Sequence, residues 1–184
     1  MIYPIVVYGS TVLRQVCEEI QQDYNQISQI IENMWETMYY SEGVGLAAPQ
    51  INKAIRLFVI DGNDLSDDFP ELKDFKQTFI NAKIVERSEN IVREYEGCLS
   101  IPGIREEVTR PDRIRIQYVD ADFQPHDEVY EGFAARIIQH EYDHIEGVLF
   151  TDYLSPLHRR LIKGKLNAIS QGKVDVNYTI RLPK

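Results

Sequence analysis

Apolar residues recur at three- and four-residue steps in three places along the chain. Ile27, Ile30, Ile31, Met34 and Met38 form one stripe, which predicts a helix from about 25 to 40 that Ser41-Glu42-Gly43 ends. Phe133, Ile137, His140 and His144 repeat the step, with Gly147 as a stop, and predict a half-buried helix over about 132–146. Ser155-Pro156 offers an N-cap and first position for a last helix, with Leu157, Leu161, Leu166 and Ile169 as its expected buried face.

Elsewhere the pattern is that of strands. Residues 55–60 read as a buried strand that stops at Asp61-Gly62, and 113–119 alternate as a half-solvated strand should. Runs at 78–85, 90–95 and 104–109 are β-like, and 127–131 predicts one more short strand. Asp64 to Lys76 is acidic and polar, which predicts a surface excursion. Strands without βαβ alternation, followed by helices, indicate an α+β fold. At 184 residues with no internal repeat, the expectation is one domain over 1–184, its last helix and tail occupying about 155–184.

Composition narrows the function classes. A hydrophobic share of 43% and a charged share of 27% are those of an ordinary globular protein, and no apolar run approaches the roughly 20 residues of a membrane span. The first residues carry no basic stretch or small-residue cleavage site, so no signal peptide is expected. Two cysteines are too few for a disulfide scaffold, and the expected compartment is a reducing cytoplasm. A net charge of -9 argues against DNA or generic nucleic-acid binding. The charge is uneven, however: residues 155–184 hold seven Lys/Arg and one acid (+6), leaving 13 basic and 28 acidic residues (-15) elsewhere. Cys17, beside Val12, Leu13 and Val16, reads as a small buried thiol. His126, expected in a turn, and His158, near the start of the last helix, read as surface residues.

The chemistry enters at Gln139-His-Glu-Tyr-Asp-His144. On a helix His140 and His144 are one turn apart on one face, so both can reach a single metal ion at about 2.0–2.1 Å. Glu141 can lean over an open metal position and handle protons there. Two histidines leave a catalytic metal one protein ligand short. Downstream, Glu146 lies about 200° around the same helix and faces away, and the remaining candidates are Asp152, Asp175 and His158. Upstream, Cys98 in Glu96-Gly-Cys-Leu-Ser100 offers a thiolate that completes a His₂Cys set.

With that segment included, the sequence resembles the peptide deformylases. Gly43-Val-Gly-Leu-Ala-Ala-Pro-Gln50, Glu96-Gly-Cys-Leu-Ser100 and Gln139-His-Glu-Tyr-Asp-His144 occur in that family's order, Pro4 to Cys17 resembles its N-terminal segment, and Ile101 to Arg110 fits the strand after the cysteine. The resemblance implies antiparallel or mixed β-sheets around a central metal-binding helix, with a C-terminal helix. It implies a divalent metal held by Cys98, His140 and His144, ferrous iron being the usual working ion, while ligand type alone also accepts Zn²⁺, Ni²⁺ or Co²⁺. The implied reaction is hydrolysis of the formyl group from formyl-methionine at the N-terminus of nascent polypeptides. Glu141 would move the proton, and the Gln50 side chain and Leu99 N–H would stabilise the oxyanion.

For the substrate, the resemblance implies an added strand against Val44-Gly45, where glycines lacking Cβ allow close approach. Ending the preceding helix is a compatible role for Gly43. Helix geometry nominates Phe133, Arg136 and Ile137 as walls of a methionine pocket, because they lie seven, four and three residues before His140. Arg136 would contribute its alkyl stem, its guanidinium reaching solvent or an acid. Arg105 is expected near the downstream peptide, and Asp143 is expected to pair with Arg110 and brace the helix. Arg159, Arg160 and Lys163 have two readings, ribosomal RNA near the exit tunnel or an ordinary solvated helix face. Two competing classes are a zincin-like endopeptidase, which needs a third ligand after the helix, and a non-catalytic metal- or peptide-binding module, which has no need of Glu141, Gln50 and Cys98 together.

Overall fold

The computed structural model describes residues 1–184. The chain runs β1 (Ile5–Val6), α1 (Ile27–Tyr40), β2 (Gly45–Ala47), β3 (Leu57–Asp61), β4 (Lys76–Arg87), β5 (Ile91–Cys98) and β6 (Ile101–Pro111). It continues through β7 (Arg113–Val119), β8 (Pro125–Glu131), α2 (Gly132–Ile145), α3 (Pro156–Ser170) and β9 (Ile180–Arg181). Five strands form an antiparallel sheet in the order β2-β3-β4-β7-β8. β5 and β6 form a separate antiparallel hairpin, and β9 returns the C-terminus to lie parallel to β1.

The continuous apolar run of β3 has a plain cause. Leu57 and Val59 face one side of the sheet, where α1 packs Ile30, Ile31, Met34 and Met38. Phe58 and Ile60 face the other side, where α2 packs Ala135, Ile138 and Ile145. A strand covered on both faces has no polar positions to alternate with. β7, between β4 and β8, keeps Ile114, Ile116 and Tyr118 buried and turns Arg113 and Gln117 outward, as its alternation predicts. The hairpin buries Ile101, Ile104 and Val108 against Ile162, Leu166 and Ile169 of α3. α2 thus lies between the large sheet and the hairpin, the central place expected of the histidine-bearing helix.

Three expectations need correction. Leu157 and Leu161 do not join the buried face of α3; they are 64% and 70% exposed, while Ile162 is buried instead. Two apolar stripes run along this helix about 100° apart, and β6 covers only the one through Ile162, Leu166 and Ile169. The acidic 64–76 segment is not a simple excursion. Its turns at Asn63–Leu65 and Pro70–Leu72 place Leu72 in the core, fully buried, and leave Leu65 and Phe69 half-buried. His126 lies within β8 rather than in a turn, stacked on Tyr118 at 4.9 Å and bonded to Asp120 at 2.7 Å. Cys17 is a buried free thiol, and burial raises its pKa to about 11.

Candidate metal centre

The centre forms where α2 meets the end of β5. Their ligand atoms, one each from Cys98, His140 and His144, all lie within 4.8 Å of one another. Cys98 Sγ is 3.3 Å from His144 Nε2. The histidines share a helix face, as their spacing requires, whereas Cys98 arrives because it is the last residue of β5, at the closed end of the hairpin. Glu146 is no ligand: it accepts from Arg56 at 2.6 Å on another side of α2. His158 is directed instead toward Glu106, at 3.6 Å.

Glu96 organises the surroundings. Its carboxylate, 6% exposed, accepts from Arg110 Nε at 2.6 Å, Arg110 Nη2 at 2.9 Å and Arg136 Nη1 at 2.7 Å. It also accepts from His140 Nδ1 at 2.9 Å. Burial pushes the Glu96 pKa upward, but hydrogen bonds from His140 and Arg110 outweigh it and hold the carboxyl well below the usual carboxylate range. An ionised carboxylate only accepts, so Nδ1 of His140 carries the proton and Nε2 points to the metal position. Arg110 also donates to Asp143 at 2.8 Å, the pairing expected from the sequence.

Glu141 packs its carboxylate directly on Gly45. A Cβ on Gly45 would come within 2.5 Å of Glu141 Oε1, and one on Gly43 within 2.9 Å of Leu99 Cδ1. Gly43 also ends α1, its N–H bonding to the Met38 carbonyl at 2.9 Å. The glycines therefore admit the side chains of two site residues. Burial pushes the Glu141 pKa up to about 7, and its Oε2 is buried with no hydrogen-bond partner. Burial lowers His140 as well, yet hydrogen bonds to Cys98 and Glu96 raise it well above the ordinary imidazole value. His144, whose Nδ1 is buried without a hydrogen-bond partner, is driven well below that value, by burial first and then by the charge of His140.

Gln50, almost fully buried, accepts from Ala47 N–H at 2.8 Å and donates to Ser100 Oγ at 3.2 Å and Cys98 Sγ at 3.5 Å. A cavity of about 840 Å³ opens over these groups. Val44, Gly45, Leu99, Phe133, Arg136 and Ile137 all line it, and exposed Arg105 stands at its rim. The Arg136 guanidinium is turned inward to Glu96 and to the Val92 and Val108 carbonyls, leaving its stem along the cavity. The sequence reading missed several contributors. Leu65 and Phe69 line the cavity from the acidic segment, and Phe69 stacks on Phe133 at 4.0 Å. Asp175 to Tyr178 line it from the C-terminal tail. No periodicity marks those residues, whereas Glu96 could have been found from its place two residues before Cys98.

The residues fit a metal. One thiol and two imidazoles converge, one imidazole is held by a carboxylate, and an unpartnered Glu141 oxygen lies beside the set. Comparison with known proteins agrees. The polypeptide deformylase family model matches residues 2–160. A peptide deformylase of Christiangramia forsetii is 48% identical over 190 residues, covering 100% of this chain and 97% of its own, and one of Flavobacterium johnsoniae is 52% identical over 188 residues, covering 98% and 96%. The crystal structure of peptide deformylase from Thermus thermophilus superimposes with a TM-score of 0.82 at 37% identity, covering 95% of this chain and 100% of that one. The α+β architecture, the His₂Cys cluster and these full-length likenesses agree: the chain belongs to the polypeptide deformylase family, metal-dependent hydrolases that remove the N-terminal formyl group from new polypeptides.

Proposed function

We propose that Cys98, His140 and His144 hold one divalent cation, and that Glu141, Gln50 and Leu99 carry out deformylation beside it, within one domain over 1–184. The observation that carries this division of labour is the convergence of three ligand atoms within 4.8 Å next to the unpartnered Glu141 carboxylate. Ferrous iron is the proposed occupant in the cell, with Zn²⁺, Ni²⁺ and Co²⁺ compatible with the same ligands. The cation supplies Lewis acidity and lowers the pKa of the attacking water.

Glu141 accepts the proton of that water and delivers it to the leaving amine nitrogen, so formate and a free N-terminus result. A pKa raised by burial keeps the carboxyl near the working range for both transfers, and a nearby cation opposes that rise. The Gln50 proton directed at Cys98 from 3.5 Å is weakly held and free to turn to an oxyanion. Leu99 N–H is the second donor, and losing one such donor costs about 10²–10³ in rate.

β2 is an edge strand, so main-chain groups of the Val44-Gly45 segment that β3 leaves unpaired can bond to an extended peptide, the Val44 carbonyl already accepting from Asp61 N–H at 2.9 Å. Phe133, Ile137, Val44 and the Arg136 stem then enclose the methionine side chain, with Leu65 and Phe69 as added walls. Arg105 contacts the downstream peptide. The proposed setting is the cytoplasm, consistent with two free cysteines. No helix is long and apolar enough to cross a membrane. Ribosome association through Arg159, Arg160 and Lys163 is supported by their exposure on α3 beside the uncovered Leu157 and Leu161.

The test is formate release from a formyl-Met tripeptide by anaerobically prepared, metal-assayed protein, alongside Glu141→Ala. Turnover by the wild type, with a loss of about 10²–10⁴ in the variant at equal metal content, is expected. Equal rates would remove Glu141 from the proposed role.

A further inference from the structure

Leu99 and Ser100 are the two central residues of the turn that closes the β5–β6 hairpin, since Cys98 pairs with Ile101. Neither adopts a positive φ. Two-residue hairpin turns that match strand twist by themselves require a positive φ in one or both central residues. This turn therefore does not set its own geometry, and the register slips beside it, between Gly97 and Cys98. Its two carbonyls and the Ser100 hydroxyl are held from outside by three residues distant in sequence. Tyr8 N–H donates to the Ser100 carbonyl at 2.9 Å, and Gln50 donates to the Ser100 hydroxyl at 3.2 Å. The third anchor comes from the C-terminal tail: Tyr178 Oη donates to the Leu99 carbonyl at 2.8 Å, across 79 residues.

We propose that Tyr178 is a positioning residue for deformylation: by holding the Leu99 carbonyl it fixes the turn and so aims the Leu99 N–H into the cavity. The inference rests on Leu99 N–H acting as an oxyanion donor. The tail is placed for this by two further contacts. β9 pairs with β1, and Thr179 O accepts from Ile5 N–H at 2.9 Å, immediately after Tyr178. Asp175 to Tyr178 consequently form part of the cavity wall. The Tyr178 ring packs in the core that contains α1, so removing only its hydroxyl leaves the packing intact.

The experiment compares wild type and Tyr178→Phe, both loaded with zinc, by steady-state formate release, thermal melting, metal content and amide hydrogen exchange. The expected result is a fall in kcat of about 3- to 10-fold, the worth of one neutral hydrogen bond. KM and metal content stay level, the melting temperature falls by no more than about 2–4 °C, the cost of that one bond, and exchange at the Leu99 and Ser100 amides quickens. An unchanged kcat, or a fall that tracks lost metal or loss of folded protein at the assay temperature, would overturn the proposal. Absence of turnover in wild type would instead strike at the oxyanion reading, while amide exchange would still report whether Tyr178 holds the turn.

Discussion

His140 and Glu96, 44 residues apart, share a 2.9 Å hydrogen bond between Nδ1 and Oε2 in the interior beside the metal position. The same carboxylate pairs with Arg110 and Arg136, so one acid orients a ligand and meets two buried guanidiniums, with Asp143 as a second partner of Arg110.

Glu96→Gln should weaken metal binding by about 10–100-fold, the usual cost of removing the partner of a histidine ligand. It should also lower stability by about 3–5 kcal/mol, because an amide group then faces a buried guanidinium. Chelator competition with Zn²⁺ and a thermal melt measure both, and an unchanged dissociation constant would deny Glu96 its orienting role.

Gly45→Ala should be damaging out of proportion to one methyl group. The new Cβ meets the Glu141 carboxylate at 2.5 Å, within a helix too well packed to retreat. A loss of about 10²-fold in kcat is expected from displacing the proton carrier, with about 1–3 kcal/mol of overpacking strain. Gly164→Ala is the contrast: nothing lies within 4 Å of a Cβ there. In mid-helix that change should stabilise by about 1 kcal/mol. Full activity in the Gly45 variant would contradict the packing argument.

His126 should titrate above the ordinary histidine value because it is hydrogen-bonded to Asp120, with Glu128 adding charge. A pKa raised in the folded state means the pair stabilises fully below the unfolded value, about 6.5. That contribution is lost as pH rises through the folded value. NMR titration of the imidazole should show the raised midpoint, and Asp120→Asn should bring it down. A midpoint that ignores the Asp120 change would show that the pairing does not hold in solution.

Much of this molecule was legible before folding. The stripes at Ile27–Met38 and Phe133–His144 became α1 and α2 within a residue or two, because a 3.6-residue period is a local property of the chain. The alternation at 113–119 became β7 for the same reason. The helical spacing of His140 and His144 put both rings on one face, and the Arg110–Asp143 pair formed as expected. Cys98 was nominated as a candidate thiolate ligand and Gln50 through resemblance, since nothing local links residues 48 positions apart.

Tertiary structure decided what local pattern leaves degenerate. α3 carries two apolar stripes of similar strength, and only the position of β6 selects Ile162 over Leu157 and Leu161. The acidic 64–76 segment is polar by composition, yet Leu72 enters the core and Phe69 reaches Phe133, because two short turns bring them there. Glu96 became a hub, and Tyr178 an anchor of the Leu99 turn, only once partners 14 to 79 residues away had converged. Periodicity and motif spacing act over one or two turns of chain, so the sequence by itself determined the elements and the identity of the chemistry. The closing of long loops is driven by burial that no short window contains, and it determined which faces are covered, which charges are paired and how the reacting groups are aimed.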